Sequence, residues 1–501
     1  MKKFFNRIID CSDYFILFAL DAVLMILELV AARLMSPYFG NSNFVWTAII
    51  GIILLAGSLG NLIGGKIASH KHPRYIACLL LLIASIYIAA IPLVEGSILG
   101  STKELNTGVQ FEAVVSSILL FLCPSTILGT IPPIVMKERI SESNDKGKES
   151  GRITAIIALG SLVGTFLGGF WLIPTFGTKI IFAMLAICIA LIAPLFILSD
   201  RDGLKRGIIV SLLFALVTLI FGIISLIIVN DGAHNSEISI DTEYGRIIIV
   251  EENHNGENIR YYKQSGAYSS ASYTSDQRKY DLVFDYLKKY DEMFKFRDIS
   301  EVAMIGGAAY QYPKYYISHY PDKKMDVIEI DPKSTEIAKQ YFYLNDLLYD
   351  YGDERLGLYN DDGRIFLRDS EKKYDAVLND AFSGEVPVGT MATAEAAKII
   401  KNSLKDDGVY MSNVLGAVEG DRGKFLRAEV KTLKQVFKHV YVIAVYKNPK
   451  PERYVNWMVV ATDNDKYTPN DIVDVRLTDD DIILTDDYNP VDSLVTTNYF
   501  E

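Results

Sequence analysis

Four short stretches with chemical potential follow one another in the second half of the chain: VAMIGGAAY (302–310), DVIEIDP (326–332), NDDG (360–363) and AVLNDAFSG (376–384). Each ends in glycine or a carboxylate, or just past one. Gly306 and Gly307 let backbone come close to a bulky ligand. Glu329, with Asp331 two residues on, sits where acids of dinucleotide folds accept both hydroxyls of a ribose. Asp362 and Gly363 are placed to meet an adenine amino group, and Asp380 closes the fourth strand. No Gly-Lys-Ser/Thr follows the glycines, which excludes a P-loop. A ribose-binding acid without a full G-x-G-x-x-G points to an adenosyl ligand lacking the pyrophosphate.

The elements that must position these residues are legible around them. EVAMIGG, KMDVIEIDP, RLGLYNDDG, YDAVLNDAFSG and GVYMSNVL read as short strands. YQYPKYYISHY, KSTEIAKQYF and TAEAAKIIKNSL read as helices between them. That alternation predicts a mostly parallel, doubly wound sheet over residues 296–501, Rossmann-like and class I methyltransferase-like. Ligands of such sheets lie past the carboxyl ends of the strands, where all the named acids fall. Residues 235–295 alternate apolar and polar side chains about an Asn255-Gly256 turn, which predicts a small antiparallel sheet, followed by a helix over 277–290. Tyrosines gathered at 341–351 read as packing of the α/β domain, and the acidic 478–482 stretch as a solvated turn.

Residues 1–230 are of another kind. Seven apolar runs of about 20 residues, the length that crosses a bilayer core, fall near 14–36, 44–66, 74–94, 112–136, 153–174, 179–198 and 207–229. Lys2, Lys3, Arg7, Lys66, Lys71, Arg74, Lys137, Arg139, Lys146, Lys148, Arg152, Arg201, Lys205 and Arg206 lie in alternate connections, against Lys103 and Lys179 in the others. This bias places the N-terminus in the cytoplasm. Seven spans then carry the C-terminal domain outside. Small residues recur every four positions in LAGSLGNLIGG (55–65) and ALGSLVGTFLGG (158–169), stripes that let helices approach closely in lipid. Asp21 and Glu28 share one face of the first run, with Arg33 beyond, and Pro132-Pro133 predict a helix break in the fourth.

Composition narrows the classes further. The net charge of -11 comes from 61 acidic against 50 basic residues, so a nucleic-acid footprint is excluded. Cys11, Cys78, Cys123 and Cys188 all precede residue 230, which leaves the second half without a disulfide scaffold or a thiolate zinc site. With six histidines in the chain, no metal site is expected.

GGAAYQYPKY, DVIEIDP, DDGRIFLRDSEKKYDAVLNDAFSG, LTDDYNPVD and ELVAARLMSPYFGNSNFVW together resemble the membrane-fused bacterial branch of the spermidine synthase-like (polyamine aminopropyltransferase) family. That resemblance implies transfer of an aminopropyl group from decarboxylated S-adenosylmethionine to an amine such as putrescine, releasing methylthioadenosine. It implies Asp380 as the base, and Gly306, Gly307, Glu329, Asp331, Asp362 and Gly363 as the donor site. Tyr310 through Lys314 replace the soluble enzymes' glycine cluster. Tyr280 and Asp281 occupy the position of their Tyr-His-Glu, and Ser383 stands where they carry a second, amine-gripping Asp. Tyr280, Asp281, Tyr310 and Ser383 are thus the expected substrate side. The loss of that second Asp keeps two alternatives open: methyl transfer or lysis of S-adenosylmethionine, and a transporter or sensor with a non-catalytic adenosyl site. The expected partners are an amine, an adenosyl sulfonium co-substrate, the lipid bilayer and a second copy of the chain. No further cofactor is expected.

Overall fold

A computed structural model describes residues 2–40, 42–105, 107–196, 216–218, 220, 237–351, 354–383, 386–447, 449–466 and 468–495, with side chains from Ser12 onward. The chain divides into two compact units, Met1–Asn235 and Ser236–Glu501.

In the first unit, six helices among the described residues are long and apolar enough to cross a membrane: Ser12–Phe39, Asn43–Ile67, Pro73–Lys103, Val109–Glu142, Lys146–Thr175 and Thr178–Phe196. The seventh expected run, 207–229, lies almost wholly outside the described residues. The small-residue stripes are where helices touch. A side chain at Gly60 or Gly64 would run into the backbone of Thr126, Gly129 and Thr130, and one at Gly160 or Gly164 into that of Phe18 and Ala22. The fourth helix is interrupted at Thr130, and Pro132 and Pro133 open the next segment, Ile131–Glu142, where a missing N–H costs least. Asp21 accepts a hydrogen bond from Ser161.

The second unit begins with a four-stranded antiparallel sheet: β1 (Glu237–Asp241), β2 (Arg246–His254), β3 (Glu257–Gln264) and β4 (Ala267–Tyr273), in that spatial order. The β2–β3 turn is Asn255-Gly256, both at positive φ (52° and 87°), as a two-residue hairpin of this twist requires. Ile247, Ile249 and Tyr262 of this sheet pack with Ala309, Ile337 and Phe342.

No α-helix forms over 277–290. The chain turns through 275–284 and then runs as a 3-10 helix, Asp285–Lys295. Its buried residues Leu287, Tyr290 and Met293 recur every third position, the period at which a 3-10 helix aligns its side chains.

The main sheet holds β5 (Glu301–Ile305), β6 (Lys324–Glu329), β7 (Leu356–Asn360), β8 (Tyr374–Asn379), β11 (Leu404–Gly416), β12 (His439–Ala444) and β13 (Val455–Thr462); β9 (Phe382–Ser383) and β10 (Val386–Pro387) form a separate small ribbon. The spatial order is β12-β13-β11-β8-β5-β6-β7. All neighbours from β7 to β11 are parallel, and β13 is antiparallel to both β11 and β12. Every residue of β8 is buried, as are Val302 to Ile305 of β5, because helices cover both faces of a parallel sheet. Strand order reverses between β5 and β8, the point where the loops diverge and leave a crevice.

The acidic 478–482 stretch is not simply solvated. Asp481 is buried, accepts from Thr478 N and pairs with Arg427 at 2.8 Å.

Candidate active site

The crevice is shaped by the turn that leaves β5. Gly306 N donates to Ile328 O (2.9 Å) and Asp380 N donates to Ile305 O (2.9 Å), which ties the ends of β5, β6 and β8 together. Gly306 has φ +89°, and a Cβ there would sit 2.7 Å from Asp380 O. Only glycine meets both demands. Ala308 (φ 45°) and Tyr310 (φ 56°) also hold left-handed backbone, so the turn is strained at non-glycine positions. A Cβ at Gly307 would come within 2.9 Å of the Tyr310 ring.

Glu329 ends β6 pointing back at this turn. Its Oε2 accepts from Gly307 N (2.8 Å) and Ala308 N (2.9 Å), and its Oε1 from Asp331 N (3.0 Å). Burial pushes its carboxyl above the usual range, and the three amides pull the other way. The carboxylate therefore fixes the glycine turn while keeping lone pairs for a ligand hydroxyl.

Asp331 and Asp362 are helix caps. Asp331 accepts from Lys333 N (2.9 Å) and starts helix Pro332–Tyr341; it is 1% exposed. Asp362 Oδ1 accepts from Arg364 N (2.9 Å) and Ile365 N (3.0 Å) and starts helix Gly363–Asp369. Such caps satisfy amides that no helix can satisfy itself. Gly363 is required because a side chain there would strike Ile305 of β5. Glu329 is paired with Asn360 across β6 and β7, which brings Asp362 to the same end of the sheet; the phenol of Tyr244, in the β1–β2 turn, is pushed up by burial first and then by Glu243, Asp331, Asp362 and Glu329.

Asp380 follows the last residue of β8, across the switch point from Glu329. Its Oδ1 accepts from Asn413 Nδ2 (2.8 Å) and its Oδ2 from the Tyr286 hydroxyl (2.9 Å). Asn413 Oδ1 in turn accepts from Asn456 Nδ2 (3.0 Å), so its amide is held in one orientation. Walls that strip water from the carboxyl raise its pKa to about 6, against the two hydrogen bonds, which lower it. A carboxylate so tuned is ionised at neutral pH and can still take up a proton. Tyr286 and Asn413 were not singled out from the sequence.

On the expected substrate side, Tyr280, Asp281 and Tyr310 are engaged with other partners. Tyr280 donates to Asp350 (2.8 Å) and packs edge-on against Tyr351, while Asp281 pairs with Arg278 at 3.0 Å. Tyr310 is wholly buried with its hydroxyl 2.8 Å from Thr335, a core position rather than a substrate-facing one. Its phenol has a structural job: the ring props Gly307 from below. Ser383 lies on β9, paired with Val386 of β10. Among the described residues no group of histidines, cysteines and acids is arranged to hold a metal.

With this geometry in place, comparison with known proteins is informative. Residues 288–470 match the model of the spermine/spermidine synthase domain. Polyamine aminopropyltransferase 2 of Aquifex aeolicus (strain VF5) is 23% identical over 442 residues, which is 84% of this chain and 82% of that protein. The second unit is spermidine synthase-like. The Aquifex match is longer than the second unit, so it reaches into the apolar first unit as well. Polyamine aminopropyltransferase of Vibrio vulnificus (strain CMCP6) is 28% identical over 143 residues, 28% of this chain and 44% of the relative's length. Among solved structures, a probable spermidine synthase from Corynebacterium glutamicum ATCC 13032 aligns with a TM-score of 0.40 at 20% identity, covering 46% of this chain and 82% of that one.

Proposed function

We propose that the protein is a membrane-bound aminopropyltransferase, using decarboxylated S-adenosylmethionine as donor and an amine such as putrescine as acceptor. Asp380 carries the reading: a desolvated carboxylate at the switch point, aligned by two neutral donors and tuned to about pH 6. The names of the relatives agree with it.

The chemistry asks little beyond placement. Sulfonium makes the adjoining carbon electrophilic. An acceptor ammonium gives one proton to Asp380, its nitrogen lone pair forms the new C–N bond, and the C–S bond breaks with its electron pair returning to sulfur. The products are the extended amine and the neutral thioether methylthioadenosine. Asp380 contributes by general base catalysis and by holding the amine in line. Glu329 binds the ribose, and Gly306, Gly307, Asp362 and Gly363 line the adenosine. Residence in a bilayer is supported by the six long apolar helices. Purified full-length protein given decarboxylated S-adenosylmethionine and a panel of amines should release methylthioadenosine in step with an extended amine. Release with no amine present, or no release with any amine, defeats the proposal.

A further inference from the structure

A carboxylate from the late stretch TDDYNP (485–490) reaches the helix that Asp362 caps. Asp362 Oδ1 accepts from the backbone N–H of Arg364, and the Arg364 side chain turns to Asp486. Its Nη1 donates to Asp486 Oδ1 (2.8 Å) and its Nη2 to Oδ2 (2.6 Å), the two-pronged pairing in which a guanidinium fixes a carboxylate most firmly. Arg364 Nη1 also donates to Thr390 O (3.0 Å), in the turn Gly389–Met391 that follows the β9–β10 ribbon. Asp486 Oδ1 takes a further hydrogen bond from the Thr393 hydroxyl (2.8 Å), whose oxygen caps helix Ala394–Ser403 by accepting from Ala396 N (3.2 Å). Neighbouring groups complete the clasp. Asp486 N donates to Glu395 (3.0 Å), Ala394 N to Leu484 O (2.9 Å) and Asn489 Nδ2 to Gly389 O (2.8 Å). The hydrogen bond from Arg364 holds the Asp486 carboxyl below the usual carboxylate range, so the clasp keeps its charge at neutral pH.

These contacts join two segments that flank the crevice. Asp362 and Gly363 stand past the end of β7. The chain that follows Asp380 runs through the β9–β10 ribbon and is drawn back on itself where Val388 N donates to Ala381 O (3.3 Å). Arg364 bonds to both segments, and Asp486 is the counter-charge that holds it. The Arg364 and Asp486 side chains are 20% and 46% exposed, so the pair adds little to overall stability. Its value is in placement, since a displacement of about 1 Å between reacting groups costs on the order of 10²-fold in rate. We propose that Asp486 is a positioning residue that acts through Arg364, holding the donor rim at Asp362 at a fixed spacing from the loop that follows Asp380; this rests on the function proposed above.

The test is a double-mutant cycle on the full-length protein. Methylthioadenosine is titrated by calorimetry into wild type, Asp486→Asn, Arg364→Gln and the double variant. Asp487→Asn is the control, because it removes the same charge from the exposed next residue. Each single variant of the pair should bind about five- to tenfold more weakly, and the double variant no more weakly than the worse single, since one residue acts through the other. Asp487→Asn should stay within about twofold of wild type, and the thermal midpoint of Asp486→Asn within about 4 °C. In turnover, Asp486→Asn should raise KM for decarboxylated S-adenosylmethionine about tenfold and leave KM for the amine within about twofold. Its acidic limb near pH 6 should not move, because Asn413 and Tyr286 still hold Asp380. Unchanged affinity in Asp486→Asn, losses that multiply in the double variant, or equal weakening by Asp487→Asn overturns the assignment. If wild type binds no methylthioadenosine, the proposed function falls with it; if wild type binds and turns over while the cycle shows no coupling, only the role of Asp486 falls.

Discussion

Asp380→Asn separates the two properties that the structure gives this carboxyl. The replacement keeps the shape, and the oxygen of the new carboxamide can still accept from Asn413, so the fold should survive. Raising the carboxyl from the usual 3.8 to about 6 means that the folded protein binds its proton more tightly than the unfolded chain. That gap is worth about 3 kcal/mol at 1.36 kcal/mol per pH unit. The sign follows: the ionised form is the disfavoured one in the fold, so stability falls as pH rises from about 4 through about 6 and stays lower above. Asp380→Asn removes this charge and should be more stable than wild type at pH 8, by up to about 3 kcal/mol, with little difference at pH 4. Its rate should fall by about 10²–10⁴, the usual worth of a general base. Wild-type activity should rise with pH through about 6 as the base ionises, and the residual activity of the variant should lack that limb. Methylthioadenosine release across pH 5–9, with urea unfolding at pH 4 and pH 8, reads both quantities. A variant within threefold of wild type, or one keeping the same acidic limb, refutes the assignment of the base.

Three further outcomes follow from the same geometry. Tyr286→Phe removes the donor to Asp380 Oδ2 and should move the acidic limb of the rate profile to higher pH, with about a tenfold loss of rate at pH 7; an unmoved limb would show the phenol to be a bystander. Gly306→Ala forces a Cβ to 2.7 Å from Asp380 O at φ +89° and should lower stability by about 1–3 kcal/mol, read as a lower urea midpoint, together with loss of adenosyl-ligand binding; normal binding would mean the turn does not need glycine. The seven apolar runs expected from the sequence, counted from a cytoplasmic N-terminus, would end outside, so a C-terminal alkaline phosphatase fusion should be active and a C-terminal fluorescent fusion dark; the opposite pattern would mean that one of the runs does not span.

Much of the scaffold could be read from residue order because its signals are local. β5, β6 and β8 are short continuous apolar runs, each stopped by glycine or acid, and burial on both faces produces that pattern. Asp380 stood out for the same reason: it ends a strand. What stayed hidden is what other segments bring to it. Tyr286 arrives from a 3-10 helix 94 positions earlier and Asn413 from a strand 33 positions later, and no periodicity reveals a contact across the sheet. The helix expected at 277–290 failed because the three-residue spacing of Leu287, Tyr290 and Met293 is close enough to an α-helical face to pass for one. Tyr310 read as a substrate contact because it stands where a glycine turn would meet ligand, but left-handed backbone turns its ring inward beneath Gly307. Asp331 and Asp362 drew notice as ligand acids, and the structure shows a second local reason for them in capping the helices that follow.

The central claim is that Glu329 and Asp380 flank one crevice and hold an adenosyl sulfonium compound between them. Calorimetric titration of methylthioadenosine into wild type and Glu329→Gln tests it most directly. Wild type should bind one equivalent, and the variant about tenfold or more weakly, because the amide gives up one acceptor oxygen that serves both the turn and the ribose. No heat with wild type, or equal affinity in the two proteins, would contradict the claim.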